Sequence, residues 1–291
     1  MRAQELYERL TQGVLLLDGA TGSELRRMGM PVGVSTEVWA CEHPEAVRAL
    51  QRAYVGAGSD IIYAPTFSAN RLGLEMHGPQ DRLKELNTKL VKLSKEAAGG
   101  RAWVAGDITT TGKPKEPVGP ISYQTLFDIY REQIEVLAEA GADLLVAETM
   151  LSVDETACAV EDAKSVCDLP IFCSLTMEAD GHLLFGGTAV EAVETLQALG
   201  ASAVGLNCSV GPDQLEVVVR SMKAVAQVPV IAKPNAGLPT MDERGQAHYS
   251  MDPDTFARAM QTLVAAGAQI IGGCCGTNPD YIRVLKKMLI S

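Results

Sequence analysis

Short apolar runs alternate along this chain with longer stretches in which apolar residues recur every three or four positions. The runs at 14–18, 60–64, 102–106, 143–147, 170–175, 202–207, 229–233 and 269–273 predict strands buried on both faces. The stretches 45–57, 80–98, 124–140, 153–166, 189–199, 212–226 and 254–266 predict amphipathic helices, and 279–289 predicts a last one. Three of these helices close on similar phrases, Val55-Gly56-Ala57-Gly58, Ala138-Glu139-Ala140-Gly141 and Ala265-Ala266-Gly267-Ala268. Each reads as a C-cap glycine leading into the next strand. Eight strands, each followed by a helix, predict an α/β chain folded as a (β/α)8 TIM-type barrel, with residues 1–291 forming one domain. The competing architecture is an open doubly wound sheet. Asp18-Gly19-Ala20-Thr21-Gly22 follows a strand but lacks the spacing of a dinucleotide-binding loop, so the barrel is favoured.

A barrel gathers the C-terminal ends of its strands around one mouth, where chemistry is placed. Those ends carry Asp18, Thr66, Asp107, Glu148, Thr176, Asn207 with Cys208, Asn235, and Cys274 with Cys275. Two loops on the same face, 112–121 and 235–248, read as lids or substrate contacts; the second reads equally well as a surface excursion.

The adjacent cysteines stand in Gly272-Gly273-Cys274-Cys275-Gly276. Neighbouring side chains on a regular strand point to opposite faces, so two sulfurs reach one metal only where the backbone kinks. Glycines on both sides permit a kink. With Cys208, three thiolates at strand ends suit zinc, with a fourth position open as in catalytic sites. The same trio also reads as a buried thiol beside a redox-active or vicinal-disulfide pair. Ser209, Gly211, Gly276 and Thr277 stand close enough in sequence to donate hydrogen bonds around it. Asp18 and Glu148 read either as helix caps or surface acids, or as a pair that holds an ammonium group. Gly19, Ala20 and Thr21 open a short helix at 23–27 whose backbone N–H groups suit a carboxylate. An ammonium site, a carboxylate site and an open zinc position together describe an amino acid that carries a thiol.

Composition narrows the setting. A net charge of −11 disfavours nucleic acid and anionic membrane surfaces. No apolar run reaches the ~18 residues of a membrane span, and the N-terminus lacks an apolar signal core, so the expected location is cytoplasmic. Seven cysteines, an odd number, do not form a disulfide framework. Cys41, Cys158, Cys167 and Cys173 read as structural thiols, although Cys41 stands two residues before His43.

These phrases together resemble the homocysteine S-methyltransferase family. The matching segments are Leu17-Asp18-Gly19-Ala20-Thr21-Gly22, Pro65-Thr66-Phe67-Ser68-Ala69-Asn70, Glu148-Thr149-Met150, Gly205-Leu206-Asn207-Cys208, Pro234-Asn235-Ala236-Gly237 and Gly272-Gly273-Cys274-Cys275-Gly276-Thr277. Gly106-Asp107-Ile108, Thr111-Gly112 and Glu116-Pro117 look like the homocysteine-binding module of cobalamin-dependent methionine synthases. The resemblance implies a zinc-dependent (β/α)8 barrel that methylates homocysteine to methionine. It also implies zinc ligation by Cys208, Cys274 and Cys275, and contact of Asp18 and Glu148 with the substrate's amino group. Gly19 and Ala20 would stand near its carboxylate, and Asn235 at the fourth zinc position before substrate arrives.

The donor is left open among methylcobalamin on a separate corrinoid protein, S-methylmethionine and S-adenosylmethionine. Betaine is disfavoured, because a quaternary ammonium wants an aromatic cage and aromatics make up 5% of the chain. Another thiol or selenol, within a corrinoid-dependent demethylation pathway, is the alternative acceptor. A non-enzymatic metal-binding barrel is the third reading.

Overall fold

The structure, a computed structural model, describes residues 3–76, 80–113, 115–117, 119–242 and 247–290. Eight parallel strands form a nearly closed barrel: β1 (Leu15–Leu16), β2 (Ile61–Tyr63), β3 (Trp103–Thr109), β4 (Leu144–Met150), β5 (Ile171–Leu175), β6 (Ala203–Cys208), β7 (Val230–Pro234) and, after a small hairpin, β10 (Ala268–Ile271). Their order is β1-β10-β7-β6-β5-β4-β3-β2. The helices α4 (Pro44–Ala57), α6 (Leu83–Ala98), α7 (Tyr123–Glu139), α8 (Val153–Val166), α9 (Ala189–Ala198), α10 (Glu216–Val225), α11 (Pro253–Ala266) and α12 (Pro279–Ile290) surround it. Each of the eight predicted strands and eight predicted helices is present, with ends moved by a few residues. Gly58, Gly141 and Gly267 have the expected positive φ.

Five elements were not foreseen: α1 (Ala3–Leu10), α3 (Thr36–Glu42), α5 (Arg71–Glu75), and the antiparallel hairpin of β8 (Pro239–Met241) and β9 (Ala247–Tyr249). The hairpin occupies the loop read as a lid or an excursion. Residues 243–246 of that loop lie outside the described residues. The expected short helix is α2 (Gly22–Arg27).

Strand alternation builds two cores. Inward-facing Leu15, Leu17, Ile61, Ala105, Val146, Phe172, Ala203, Ile231 and Ile270 fill the barrel, joined by Leu6 of α1. Outward-facing Leu16, Ile62, Val104, Leu145, Val204 and Ile271 pack against the helices. The seam between β1 and β2 has little ladder of its own. One backbone bond crosses it, Asp60 N to Leu16 O at 2.7 Å. Side chains add to it: Asp60 Oδ2 accepts from Leu16 N at 2.8 Å, Asp18 Oδ2 accepts from Tyr63 N at 2.7 Å, and the Ser59 hydroxyl donates to Leu17 O at 3.2 Å. Arg9 of α1 pairs with Asp60 at 2.7 Å, which holds α1 against the N-terminal end of the barrel.

Candidate active site

Two residues beyond the inward apolar layer, the same faces of the strands become polar. Ile61, Ala105, Val146 and Ile231 are followed at i+2 by Tyr63, Asp107, Glu148 and Lys233. These four, with Asp18, Gly19, Ala20, Phe67, Cys208, Cys274 and Cys275 among others, line a cavity of about 350 Å³ at the mouth of the barrel. A roomier, open groove of about 620 Å³ lies between α4 and α6. It carries lysines and glutamates without buried chemistry, so the barrel mouth is the site.

Strand β7 brackets the cysteines. Cys208, the last residue of β6, is paired in register with Pro234, the last residue of β7. On the other side of β7, Pro234 O accepts from Cys274 N at 2.7 Å, and Ala236 N donates to Cys275 O at 3.0 Å. The Cys274 carbonyl also accepts the Thr277 hydroxyl at 2.8 Å. The three sulfurs lie within 4.8 Å of one another. Sulfurs bound ~2.3 Å from a tetrahedral zinc are ~3.8 Å apart, so a trio this close is compatible with such an ion. Hydrogen bonding divides the thiols: Cys275, accepting from Cys208 and Cys274, is pushed down to about 3, whereas donation pushes Cys208 up.

The glycine kink expected beside the adjacent cysteines is present, with Gly276 at φ 82°, and a second, unforeseen one lies at Cys208. Cys208 itself has φ 61° and Ser209 φ 57°, a left-handed conformation that costs a non-glycine residue about 1 kcal/mol or more. At the other cysteines, Gly273 lets Thr277 approach where a Cβ would stand 2.5 Å from its Oγ1. Gly276 likewise accepts the ring of Tyr249, which a Cβ would meet at 2.3 Å. The Tyr249 phenol thereby hydrogen-bonds Cys275. Tyr249 ends β9, so the unforeseen hairpin reaches the cysteine turn.

Asp18 and Glu148 are brought together, with a cation already beside them. Lys233 Nζ lies 3.0 Å from Glu148 Oε1 and 3.8 Å from Asp18 Oδ1, and 4.9 Å from the centre of the Tyr63 ring. Burial pulls the lysine's pKa down, but Glu148 and Asp18 outweigh it and hold it well above its ordinary value. Burial pushes Asp18 up to about 7 against the opposing pull of Lys233 and the Tyr63 N–H. Burial, then the charge of Glu148, pushes Asp107 well up. Lys233 escaped the sequence reading because it ends an apolar run. A lysine two residues after an inward isoleucine was the available signal, since lysines are almost never fully buried unpaired.

The other candidates settle as follows. Gly19 and Ala20 line the cavity, but the Ala20 N–H donates to Thr277 Oγ1 at 3.2 Å and is not offered to a ligand. Asn235 follows β7 between the two backbone bonds that hold the cysteine turn. Its Nδ2 donates to Ser209 O at 3.1 Å and its buried Oδ1 has no partner. The Asn207 amide accepts from Thr149 N at 2.9 Å, donates to Thr149 Oγ1 at 2.7 Å, and lies 3.9 Å from Cys274 Sγ. Thr149 has φ 58°, so this clamp also aims its neighbour Glu148. Described residues of the loop after β3 do not line the cavity. Its root is tied to Glu155, which accepts from Thr110 Oγ1, Thr111 N and Thr111 Oγ1 at 2.6–2.7 Å. Thr277 donates to a carbonyl rather than to sulfur. Cys41 and His43 form no ligand pair: His43 stacks on Trp39 at 4.1 Å and its Nδ1 contacts Trp39 O. Tyr63 and Phe67 line the cavity although no aromatic cluster was expected there, and the Tyr63 face is taken by Lys233. Among the described residues, no helix is long and apolar enough to cross a membrane.

Comparison with known proteins agrees with this arrangement. The chain is 28% identical to the methionine synthases of Mycobacterium leprae (strain TN) and of Mycobacterium tuberculosis, over 96% of its length. It spans about a quarter of those relatives, 24% and 25%. The oxidised form of the homocysteine methyltransferase MmuM from Escherichia coli superposes with a TM-score of 0.81 at 25% identity, covering 94% of this chain and 96% of that one. Its metallated form gives 0.79 at 24%, with 95% and 96% covered. A family model described as homocysteine S-methyltransferase matches residues 15–289, which takes in every strand of the barrel and all three clustered cysteines. With its eight strands and strand-end residues all inside that match, the chain belongs to the homocysteine S-methyltransferase family.

Proposed function

We propose that this chain transfers a methyl group to the thiol of homocysteine, forming methionine, at a zinc ion held by Cys208, Cys274 and Cys275. The observation that carries the proposal is the joining of three thiols and four buried carboxylates, Asp18, Glu37, Asp107 and Glu148, in one cavity of about 350 Å³. The thiols suit a soft metal with one position open. The carboxylates suit an ammonium group, and the size suits one amino acid. The family bears the same activity in its name.

When bound, zinc would supply a thiolate from the substrate thiol, whose ordinary pKa near ~8.5 otherwise keeps it mostly protonated at neutral pH. Everything else falls to side chains of the chain. Glu148 and Lys233 fix the electrostatic floor of the cavity, Tyr63 and Phe67 exclude water, and Tyr249 holds Cys275 in place. The unpartnered Oδ1 of Asn235 suits it to stand in at the open metal position until substrate arrives. A sulfur lone pair forms the new S–CH3 bond, and the electron pair of the broken bond leaves with the donor. No proton moves in that step, because the thiol proton is lost on binding.

An apolar rim favours methylcobalamin presented by a corrinoid protein as donor. Val32, Leu184, Phe185, Leu238 and Met241 are exposed on the loops that follow β1, β5 and β7, around the mouth. The test is methionine formation from homocysteine with methylcobalamin, S-methylmethionine and S-adenosylmethionine side by side. Methylcobalamin should be used fastest. Use of a sulfonium donor alone would overturn the corrinoid reading, and no methionine from any donor would overturn the activity itself. Other thiols run in parallel test the acceptor. Cys208→Ala should lose both bound zinc and turnover.

A further inference from the structure

The hairpin of β8 and β9 has no core of its own. Its strand residues are exposed except Tyr249, which is half-buried. A two-stranded hairpin by itself is marginal in water, so its attachment to the barrel matters. At its root Met251 N donates to Ala236 O at 3.0 Å, and Ala236 N donates to Cys275 O at 3.0 Å. The ring of Tyr249 adds a third attachment, packed where a Cβ on Gly276 would stand 2.3 Å from its Cγ. An anchor of this kind needs only the ring, which phenylalanine would supply as well. The hydroxyl is what anchoring leaves unexplained, and it hydrogen-bonds the sulfur of Cys275. A second neutral donor arrives from β6, where Asn207 Nδ2 lies 3.9 Å from Cys274 Sγ. Three thiolates already outweigh the charge of a zinc ion, and each gives it electron density. A hydrogen bond to one of them withdraws part of that density without displacing the ligand, and groups so placed tune a metal through its ligands.

We propose that Tyr249 is a positioning residue of the metal centre, whose hydroxyl draws charge from the Cys275 sulfur so that the open metal position holds the substrate's sulfur more tightly. This role rests on the reading of the three cysteines as a metal site for a thiol substrate. Tyr249 acts through Cys275 and keeps its own proton throughout. The ring fixes the hairpin on Gly276, and the hydroxyl sets how strongly Cys275 donates to the metal. A stronger donor at Cys275 leaves the metal less able to hold a fourth, anionic sulfur.

Tyr249→Phe keeps the ring and removes only the hydroxyl. The full chain is loaded with cobalt(II), whose sulfur-to-metal charge-transfer band reports the donor strength of its thiolates before substrate is added. In Tyr249→Phe that band should move to lower energy. Homocysteine should then bind about tenfold more weakly by titration calorimetry, while 2-aminobutanoate, the same amino acid without the thiol, changes little. Incorporation of 3-fluorotyrosine at position 249, a stronger donor of nearly the same shape, should move the band to higher energy. Anchoring alone predicts no movement in either protein, so an unmoved band, or equal weakening of both ligands, would overturn the role. If Tyr249→Phe does not fold, the fluorinated protein decides: a shift to higher energy supports the role, and no shift or the opposite one overturns it. Failure of the underlying reading looks different. A wild-type protein that takes up no cobalt, or binds homocysteine no better than 2-aminobutanoate, would overturn the metal–thiol site itself and the role of Tyr249 with it.

Discussion

Single side chains in this molecule serve the seam of the barrel and the site at once. Asp18 closes β1 to β2 through the Tyr63 N–H while its other oxygen faces Lys233. Asn207 clamps Thr149 in a left-handed conformation and points its Nδ2 at Cys274. The orientation of that amide is fixed by its partners, since Thr149 N requires an acceptor and so turns the amino group toward the hydroxyl and the sulfur. Removing the amide leaves the partly buried Thr149 N–H unpaired. Asn207→Ala should therefore lower stability by about 1–3 kcal/mol and speed loss of metal to a chelator. Denaturant titration and metal content after dialysis check both effects; unchanged stability would show that Asn207 is not a clamp.

At the scale of elements, β7 is the central one, because its end carries register partners for both cysteine segments. Its neighbours β6 and β10 are 60 residues apart in sequence; β7 pairs with both along its length, and at its end Pro234 meets Cys208 on one side and Cys274 on the other. The helices behind carry their own electrostatics. Asp162 on α8 is fully buried, and its Oδ2 has no partner. Burial raises its carboxyl from 3.8 to about 7, against the Ser165 hydroxyl and Arg131, with Glu135 and Asp128 adding to the rise. A raised folded pKa means that the native state holds the proton more tightly than the unfolded chain. The stability so gained is full below about pH 4 and is lost as pH rises through about 7. Asp162→Asn, which mimics the protonated acid, should match the wild type near pH 4 and exceed it by about 1–3 kcal/mol at pH 8. Thermal melts across that range test it, and parallel wild-type and variant curves would refute it.

For the whole molecule, the three thiols stand at or just beyond the strand ends, and neither apolar core includes them. The cores fill the barrel without the thiols, so the proposed metal is expected to serve function rather than folding. Chelation should abolish methyl transfer, leave the circular dichroism spectrum intact, and lower the melting temperature only by the linkage of ion binding. A chain that unfolds at 25 °C when stripped of metal would instead make the site structural.

Alternation of apolar runs and amphipathic stretches determined the eight strands, the eight outer helices and hence the barrel, because burial on two faces or one stripe is written locally in the order of residues. The cysteines, Asp18 and Glu148 were legible for the same reason: polar residues that end apolar strands must sit at the mouth. Asp107 was legible as a strand-end acid, but Lys233 and its pairing with Glu148 and Asp18 were not, since which charges meet depends on the stagger of strands that no local pattern records. Tyr249 and the hairpin that carries it were hidden because their stabilising contact, a ring on Gly276, lies in another part of the chain. The sequence by itself determined where chemistry would gather. Only the tertiary structure decided which acids already have a cation, because pairing of buried charges is a matter of ångströms across strands distant in sequence.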